Sequence, residues 1–253
     1  MRIGLLGDTH GYVPALEAAI RGCRGAGVDQ IVHCGDFLST PFSPDPPDET
    51  IALLRAENVR AITGNGEIYF CHWNTPMWEA TLAQRLRRPD SPAHFLPQVA
   101  AGQAALSSDS LGWVRSLPDE LVLNCGRQGD VYVCHAMPGD PFTSIWDTDP
   151  QYTPTFAPGE IERVLARPNV AQADLILCGH IPYPLVQRTA LPNGRSALVV
   201  RGVGWMRGAA DGSDSMVDYW VLENTGPVSL GYKAWTLQRQ LRLFRPRNPA
   251  WGK

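Results

Sequence analysis

The sequence predicts an α/β fold in which two β-sheets pack face to face with helices on their outer sides. About the first 65 residues alternate short apolar runs with amphipathic helical segments. This βαβαβ order is typical of parallel strands joined by right-handed crossovers. Beyond Pro184 the pattern changes to short strands separated by Gly, Asn and Asp, which favours antiparallel pairing. An α/β half followed by a β-rich half indicates two sheets.

The elements of the first part follow from apolar periodicity. Leu16, Ala19, Ile20 and Cys23 recur at helical spacing, so they predict one buried face of the first helix. A Pro-rich connection precedes the second helix. The predicted strands and helices, in chain order, are Arg2–Leu6, Tyr12–Arg24, Gln30–Cys34, Glu49–Glu57 and Val59–Thr63.

The region 67–123 is less regular, rich in Trp and Pro, and is predicted to be a mostly helical cap. Ser108 is the expected N-cap of a short helix that ends before Pro118. The chain then returns to strands and one further helix. These later elements are predicted at Val131–Cys134, Glu160–Ala166, Asp174–Cys178, Leu185–Arg188, Ser196–Val200, Val217–Leu222 and Leu230–Thr236.

Length and composition limit the functions that this chain can have. Its 253 residues suit one large domain, predicted over residues 1–240 with a tail at 241–253. A net charge of -3 provides no basic surface for nucleic acid. No signal peptide or membrane span is expected from the sequence, and the six cysteines form no C-x-x-C pair. We therefore expect a cytoplasmic protein.

Polar side chains follow five of the predicted strands at the point where each strand ends. Because ligand sites in open α/β folds lie beyond the carboxyl ends of the strands, these side chains are expected to converge. Carboxylates combined with imidazoles suit Mn, Fe or Zn better than Mg or Ca. The candidate metal ligands are Asp8, His10, Asp36, Asn65, His135 and His180.

Each of these residues also has a simpler interpretation. Asp8 is suited to capping the helix that begins near Val13, and Asp36 to a turn. Asn65, between two glycines, fits a type I′ turn, and a strand-end histidine is often only a hydrogen-bonded polar residue. Five such strand ends in one chain favour a metal site over five separate coincidences.

The order and content of these motifs closely resemble the calcineurin-like metallophosphoesterases, especially their small bacterial and archaeal phosphodiesterases. The resemblance runs from Arg2 to about Val221. It implies a four-layer αββα sandwich and a dinuclear metal centre. By this resemblance Asp36 bridges the metals, Asp8 and His10 serve the first, and Asn65, His135 and His180 serve the second.

The chain departs from the family pattern in two places. The usual Gly-Asn-His is here Gly64-Asn65-Gly66, so the histidine that often protonates the leaving group is absent. The usual Gly-His-x-His is here Gly179-His180-Ile181-Pro182. Either Pro182 replaces the last ligand of the first metal, or His180 occupies that position after a deletion. The two alternatives leave different metals short of a ligand.

The resemblance implies a metal-dependent phosphoric ester hydrolase, either a phosphodiesterase or a nucleotide phosphatase. Two divalent transition-metal ions, with Mn favoured, would activate a hydroxide that attacks phosphorus. One ion is expected to be weakly held, and Asn65 is also expected to bind substrate. The oligomeric state is left open.

Two rival functions follow from the same sequence. The absent histidines favour a binding or scaffold module that keeps the fold without catalysis. A dinucleotide-binding oxidoreductase is disfavoured because Gly7 to Gly11 lacks the required glycine spacing. Aromatic residues at Trp73 to Trp78, Phe142 and Trp146 either border the site, where they stack a base or aryl group, or pack in the core.

Overall fold

The computed structural model describes residues 1–38, 45–72, 96–124, 130–146, 155–202, 204–206, 215–227 and 233–244. The strands are β1 Arg2–Leu6, β2 Gln30–His33, β3 Arg60–Ala61, β4 Leu121–Asn124, β5 Asp130–Val133, β6 Ala173–Cys178, β7 Leu185–Ala190, β8 Ser196–Arg201, β9 Trp205–Met206, β10 Ser215–Pro227 and β11 Lys233–Phe244. The helices are α1 Val13–Gly25, α2 Pro47–Ala56, α3 Asn65–His72, α4 Leu96–Ala104, α5 Ser108–Ser116, α6 Glu160–Leu165 and α7 Pro168–Ala171.

The strands form two mixed sheets. The first has the order β11-β10-β1-β2-β3, with β9 paired to β10, and the second has the order β4-β5-β6-β8-β7. β1, β2 and β3 run parallel, whereas β10 is antiparallel to both β1 and β11. In the second sheet β5, β6 and β8 are parallel, and β4 and β7 are antiparallel edges.

Alternate residues of each strand face different layers. In β6, Leu175 and Leu177 lie in the core between the two sheets, whereas Ile176 and Cys178 face the helices α6 and α7. In the first sheet the outward residues of β1, β2 and β10 pack under α1, α2 and α5. The central strands β1, β2, β5 and β6 are therefore buried on both faces, which explains their nearly continuous apolar runs in the sequence. The predicted αββα sandwich is confirmed.

Three features of the sheets differ from the expected pattern. β8 pairs in parallel with β6, although its sequence neighbours suggested an antiparallel meander. β10 is about twice as long as predicted, and β11 is nearly twice as long. Both strands belong to the first sheet and not to the second. The Gly, Asn and Asp turns in the sequence correctly predicted that these strands exist. Which sheet a strand joins depends on packing between distant parts of the chain.

The predicted cap contains a strand that we did not expect. Residues Leu121–Asn124 form β4 instead of continuing a helical region to residue 123. Leu123 is buried between the sheets while Val122 is 41% exposed, so this edge strand has the period of two that a half-buried strand requires. The short helix before it is capped by Ser107, whose Oγ accepts the Ser110 N–H, and not by Ser108.

Parts of the predicted organisation lie outside the described residues. These parts are residues 73–95 of the cap and 245–253 of the tail, and the single-domain arrangement stays a prediction. Residues 241–244 of the expected tail are instead the end of β11. Within the described chain, no helix has the length and apolar character needed to cross a membrane.

Truncating the core between the sheets should destabilise the protein. Leu177 is fully buried there. We expect Leu177→Ala to lower the free energy of unfolding by about 2–5 kcal/mol in urea titrations, because it leaves a cavity. Val122→Ala, on the exposed face of β4, should change it by less than about 0.5 kcal/mol. Equal effects of the two substitutions would contradict this packing.

Candidate metal centre

The loops after β1 and β2 are joined through their backbones. The Asp8 N–H donates to Gly35 O at 3.1 Å, and the His10 N–H donates to Asp36 O at 2.9 Å. Asp8, His10 and Asp36 all have left-handed backbone conformations, with φ between 50° and 55°. Such conformations are unfavourable for these residues and persist only where neighbouring contacts enforce them. These contacts bring two carboxylates and one imidazole together, and their ligand atoms lie within 4.8 Å of one another. We call Asp8, His10 and Asp36 the Asp8 set.

Glycines allow the loops after β2 and β3 to touch. A Cβ on Gly35 would lie 2.5 Å from Gly64 N, and a Cβ on Gly64 would lie 2.3 Å from Asp36 Oδ1. Only glycine fits at such separations. The Gly66 N–H then donates to Asp36 Oδ1 at 2.7 Å, which orients that carboxylate.

Glu67 holds the same loops together and was not among the predicted site residues. Its Oε2 accepts the N–H groups of Asp36 and Gly64, and its Oε1 accepts that of Leu38, each at 2.7 Å. The side chain is fully buried. Burial, followed by the charge of Asp36, raises the pKa of Glu67 to about 8 although the three N–H groups oppose this shift. An acidic residue two positions after Asn65, at the start of an apolar helix, was the available sequence signal.

A second group of ligand atoms shares Asp36. The ligand atoms of Asp36, His135 and His180 also lie within 4.8 Å of one another, and Asn65 lies among them. We call Asp36, Asn65, His135 and His180 the His135 set. Asn65 Oδ1 is 2.9 Å from both His135 Nε2 and His180 Nδ1. Asn65 is also the first residue of α3, so the helix fixes its position.

The hydrogen bonding of His135 tests whether a cation fits. His135 Nδ1 lies 2.7 Å from Cys34 O, and because a carbonyl only accepts, Nδ1 donates this hydrogen bond and Nε2 is the nitrogen left to bind a cation. The Nε2 lone pair therefore points towards Asn65 Oδ1 and towards Asp36 Oδ1, 3.5 Å away. Electron-rich atoms that face one another in this way fit a shared cation.

The electrostatics of the Asp8 set also favour a cation. Burial and the neighbouring Asp36 raise the pKa of Asp8 well above its usual range. Burial opposes the ionisation of Asp36, but His135, His10 and the Gly66 N–H outweigh it, and the net effect lowers its pKa. Burial lowers the pKa of His10, so its ring is neutral and offers a lone pair. Two buried carboxylates side by side are stabilised when positive charge lies between them.

The structure brings His180 close to one of the two candidate ligand sets. His180 falls in the His135 set, and the exposed Pro182 follows it in the loop after β6. The departure at Pro182 therefore affects the Asp8 set, which offers three side chains. The backbone of His180 also contacts the Asp8 set, because its N–H donates to Asp8 Oδ1 and Oδ2 at 3.0 and 2.9 Å.

The remaining histidines and aromatic residues singled out from the sequence lie beneath the site, in the core or along a nearby cleft. His33 is buried beneath the site, where its Nε2 is 3.0 Å from Thr9 Oγ1, and burial lowers its pKa to about 3. Trp146 packs in the core beside Tyr132, whereas Phe142 lines a cleft next to His135. The side chain of His72, and residues His94 and 73–78, lie outside the described residues.

The fold is that of the metallophosphoesterases. The crystal structure of a metallophosphoesterase from Sphaerobacter thermophilus aligns with a TM-score of 0.55 and 21% identity over 95% of this chain and 88% of that one. A hypothetical protein from Pyrococcus horikoshii aligns with a TM-score of 0.62 and 17% identity over 99% and 90%.

The sequence family agrees with the fold. The family model of the calcineurin-like phosphoesterase superfamily domain matches residues 1–217, so the chain belongs to that superfamily, as its motifs predicted. Over 39 residues the chain is 41% identical to a phosphodiesterase of Methanocaldococcus jannaschii. That match covers 15% of this chain and 24% of the length of the relative.

Adding one methyl group beside Asp8 should weaken metal binding. A Cβ on Gly179 would lie 2.5 Å from Asp8 Oδ2, so Gly179→Ala must displace that carboxylate. We expect Mn²⁺ affinity, measured by isothermal titration calorimetry, to fall by about 10- to 100-fold. The control is Gly112→Ala, which adds its Cβ to open space on α5. An unchanged Mn²⁺ affinity in Gly179→Ala would contradict the role of Asp8.

Proposed function

We propose that the protein is a metal-dependent phosphoesterase, and more specifically a phosphodiesterase, with Mn²⁺ the favoured ion. The observation that carries the proposal is the pair of ligand sets that share Asp36. Two cations held by these sets would supply hydroxide at neutral pH and neutralise charge on the phosphoryl oxygens. The family assignment supports the same reaction class. A nucleotide phosphatase is the related alternative.

The residues of this chain orient the reacting groups. The N–H groups of His180 and Gly66 fix the carboxylates of Asp8 and Asp36. Asn65 turns its amide oxygen to the two histidines, so its N–H₂ group is left to donate to a phosphoryl oxygen. Holding ligands and substrate in one geometry is the main contribution that a protein makes to phosphoryl transfer.

The leaving group must depart without help from the usual histidine. Gly66 stands at that position, and a Cβ there would already lie 3.0 Å from Asp36 Oδ1. Proton donation is needed least when the leaving oxygen is stable as an anion. We therefore propose esters with good leaving groups, such as phenolate, as the preferred substrates.

A cytoplasmic location is part of the proposal. Cys23, Cys34, Cys134 and Cys178 are all buried free thiols. Free thiols are typical of proteins in a reducing compartment. We propose that the substrate is a small phosphoester and that neither a membrane nor nucleic acid is a partner.

Asp36→Asn should abolish activity. The amide has no charge with which to serve both ligand sets. Mutating residues that only hydrogen-bond to metal ligands lowers metal affinity or activity by about 10- to 100-fold. Because Asp36 is itself a candidate ligand, kcat/KM for bis(4-nitrophenyl) phosphate in Mn²⁺ should fall at least about 100-fold. Asp29→Asn, whose side chain is 62% exposed at the opposite end of the sheet, is the charge-matched control.

The same assay tests the scaffold alternative. Wild-type protein with its metal content confirmed by elemental analysis should hydrolyse the diester, and a chelator should stop it. If the fully metallated protein releases no nitrophenolate above background, the catalytic function fails and the binding module is favoured.

The two ligand sets should differ in affinity. The Asp8 set offers three side chains, whereas the His135 set has Asn65 as a fourth. Calorimetric titration with Mn²⁺ should therefore resolve a tighter and a weaker class of site. We expect His135→Ala to remove the tighter class and His10→Ala the weaker one. The reverse assignment would contradict the placement of His180.

A further inference from the structure

A cleft of about 440 Å³ is lined in part by His135. Its walls are the first turn of α3, the segment before β4, the turn after β5 and Arg167 at the start of α7. The volume falls in the range typical of small-molecule sites. Because His135 belongs to both the His135 set and the cleft wall, the cleft adjoins the candidate metal centre.

One wall of the cleft is apolar and holds an aromatic ring in place. Ile68 and Met137 line it together with Phe142. The Phe142 ring lies 5.9 Å from the ring of Tyr69, which is only 4% exposed, at an interplanar angle of 59°. The Phe142 N–H donates to Asp140 Oδ1 at 2.7 Å, which fixes the turn. An aromatic side chain held in this way is a platform on which a flat ring can stack.

Much of the rest of the described lining is charged, and the guanidinium of Arg167 is already paired. Arg167 donates to both oxygens of Glu120, at 3.0 and 2.9 Å. Two more carboxylates, Asp119 and Asp140, line the same cleft. Asp119 accepts from the Thr63 hydroxyl, and Asp140 accepts from the Phe142 N–H, both neutral donors. The lining therefore carries an excess of negative charge, which repels an additional phosphate or carboxylate.

We propose that this cleft binds the uncharged, ring-bearing organic group of a phosphodiester, a nucleoside or an aryl alcohol, and disfavours substrates with further phosphates there. The inference rests on the proposed phosphodiesterase activity. Phe142 provides the face on which a ring stacks. The carboxylates of Asp119, Glu120 and Asp140 disfavour substrates with additional negative charge. A nucleoside triphosphate, or any chain of linked phosphates, is a poor occupant of the same space.

Three substrates with the same leaving group test the proposal. They are 4-nitrophenyl methyl phosphate, thymidine 5′-(4-nitrophenyl phosphate) and the 3′-phosphate of the latter. In the Mn²⁺-loaded protein, kcat/KM for the thymidine ester should exceed that for the methyl ester by about 5- to 100-fold, the range expected of base stacking. The 3′-phosphate should lower it at least about fivefold. Bis(4-nitrophenyl) phosphate distinguishes an aryl from a nucleoside preference.

Variants assign these differences to the cleft. Phe142→Leu should reduce the preference for the thymidine ester over the methyl ester by about 5- to 30-fold. Glu120→Gln removes a negative charge and releases Arg167, so it should raise the relative activity on the 3′-phosphorylated substrate. Glu162→Gln, on the exposed side of α6, is the charge-matched control.

The outcomes separate this proposal from the proposed function. If all three substrates react equally, or if Phe142→Leu slows the methyl and thymidine esters by the same factor, the cleft assignment is overturned while the activity stands. If none reacts, the activity fails. Calorimetry then decides the cleft on its own, because thymidine 5′-phosphate should bind the Mn²⁺-loaded protein more tightly than methyl phosphate in wild type and not in Phe142→Leu.

Discussion

The carboxylate of Glu67 is the contact on which the metal centre depends. It accepts N–H groups from two loops, at Asp36, Leu38 and Gly64, and so fixes the separation of the carboxyl ends of β2 and β3. Those N–H groups would otherwise be buried without partners, which is costly. Glycines at positions 35 and 64 make the separation possible, and the carboxylate maintains it. The side chains of Asp36 and Asn65 project from the two loops that are joined in this way.

The site concentrates backbone strain that the surrounding sandwich supports. Among the residues that the structure describes, five non-glycine residues have positive φ, and four of them are the candidate ligands Asp8, His10, Asp36 and His180. Each such conformation costs about 1–3 kcal/mol. The cost is tolerated because the central strands of both sheets are buried on both faces and the loops are hydrogen-bonded to one another. Strain and ligand position therefore have the same origin, the contact between strand-end loops.

The sequence predicted the strand ends well because an apolar run and its polar stop are local features. Asp8, Asp36, His135 and His180 follow β1, β2, β5 and β6, while their role as metal ligands stays a prediction. The αββα layers follow from runs that are apolar on both faces. What it missed depends on distant contacts. The parallel position of β8, the strand at Leu121–Asn124 and the clamp formed by Glu67 are decided by partners far along the chain. The assignment of His180 likewise required its distance to His135 and Asp36.

The two departures from the family pattern have the same physical character. At Gly66 and after His180 an imidazole is absent, but the backbone N–H groups of Gly66 and His180 donate to candidate ligand carboxylates. The Gly66 N–H still orients Asp36, and the His180 N–H still orients Asp8. The chain thus retains the N–H groups that position the carboxylates and lacks the imidazole that often protonates the leaving group in the family. A centre of this kind is suited to an ester whose leaving group needs no proton. The cleft beside His135 selects the other substituent by its ring and its lack of charge.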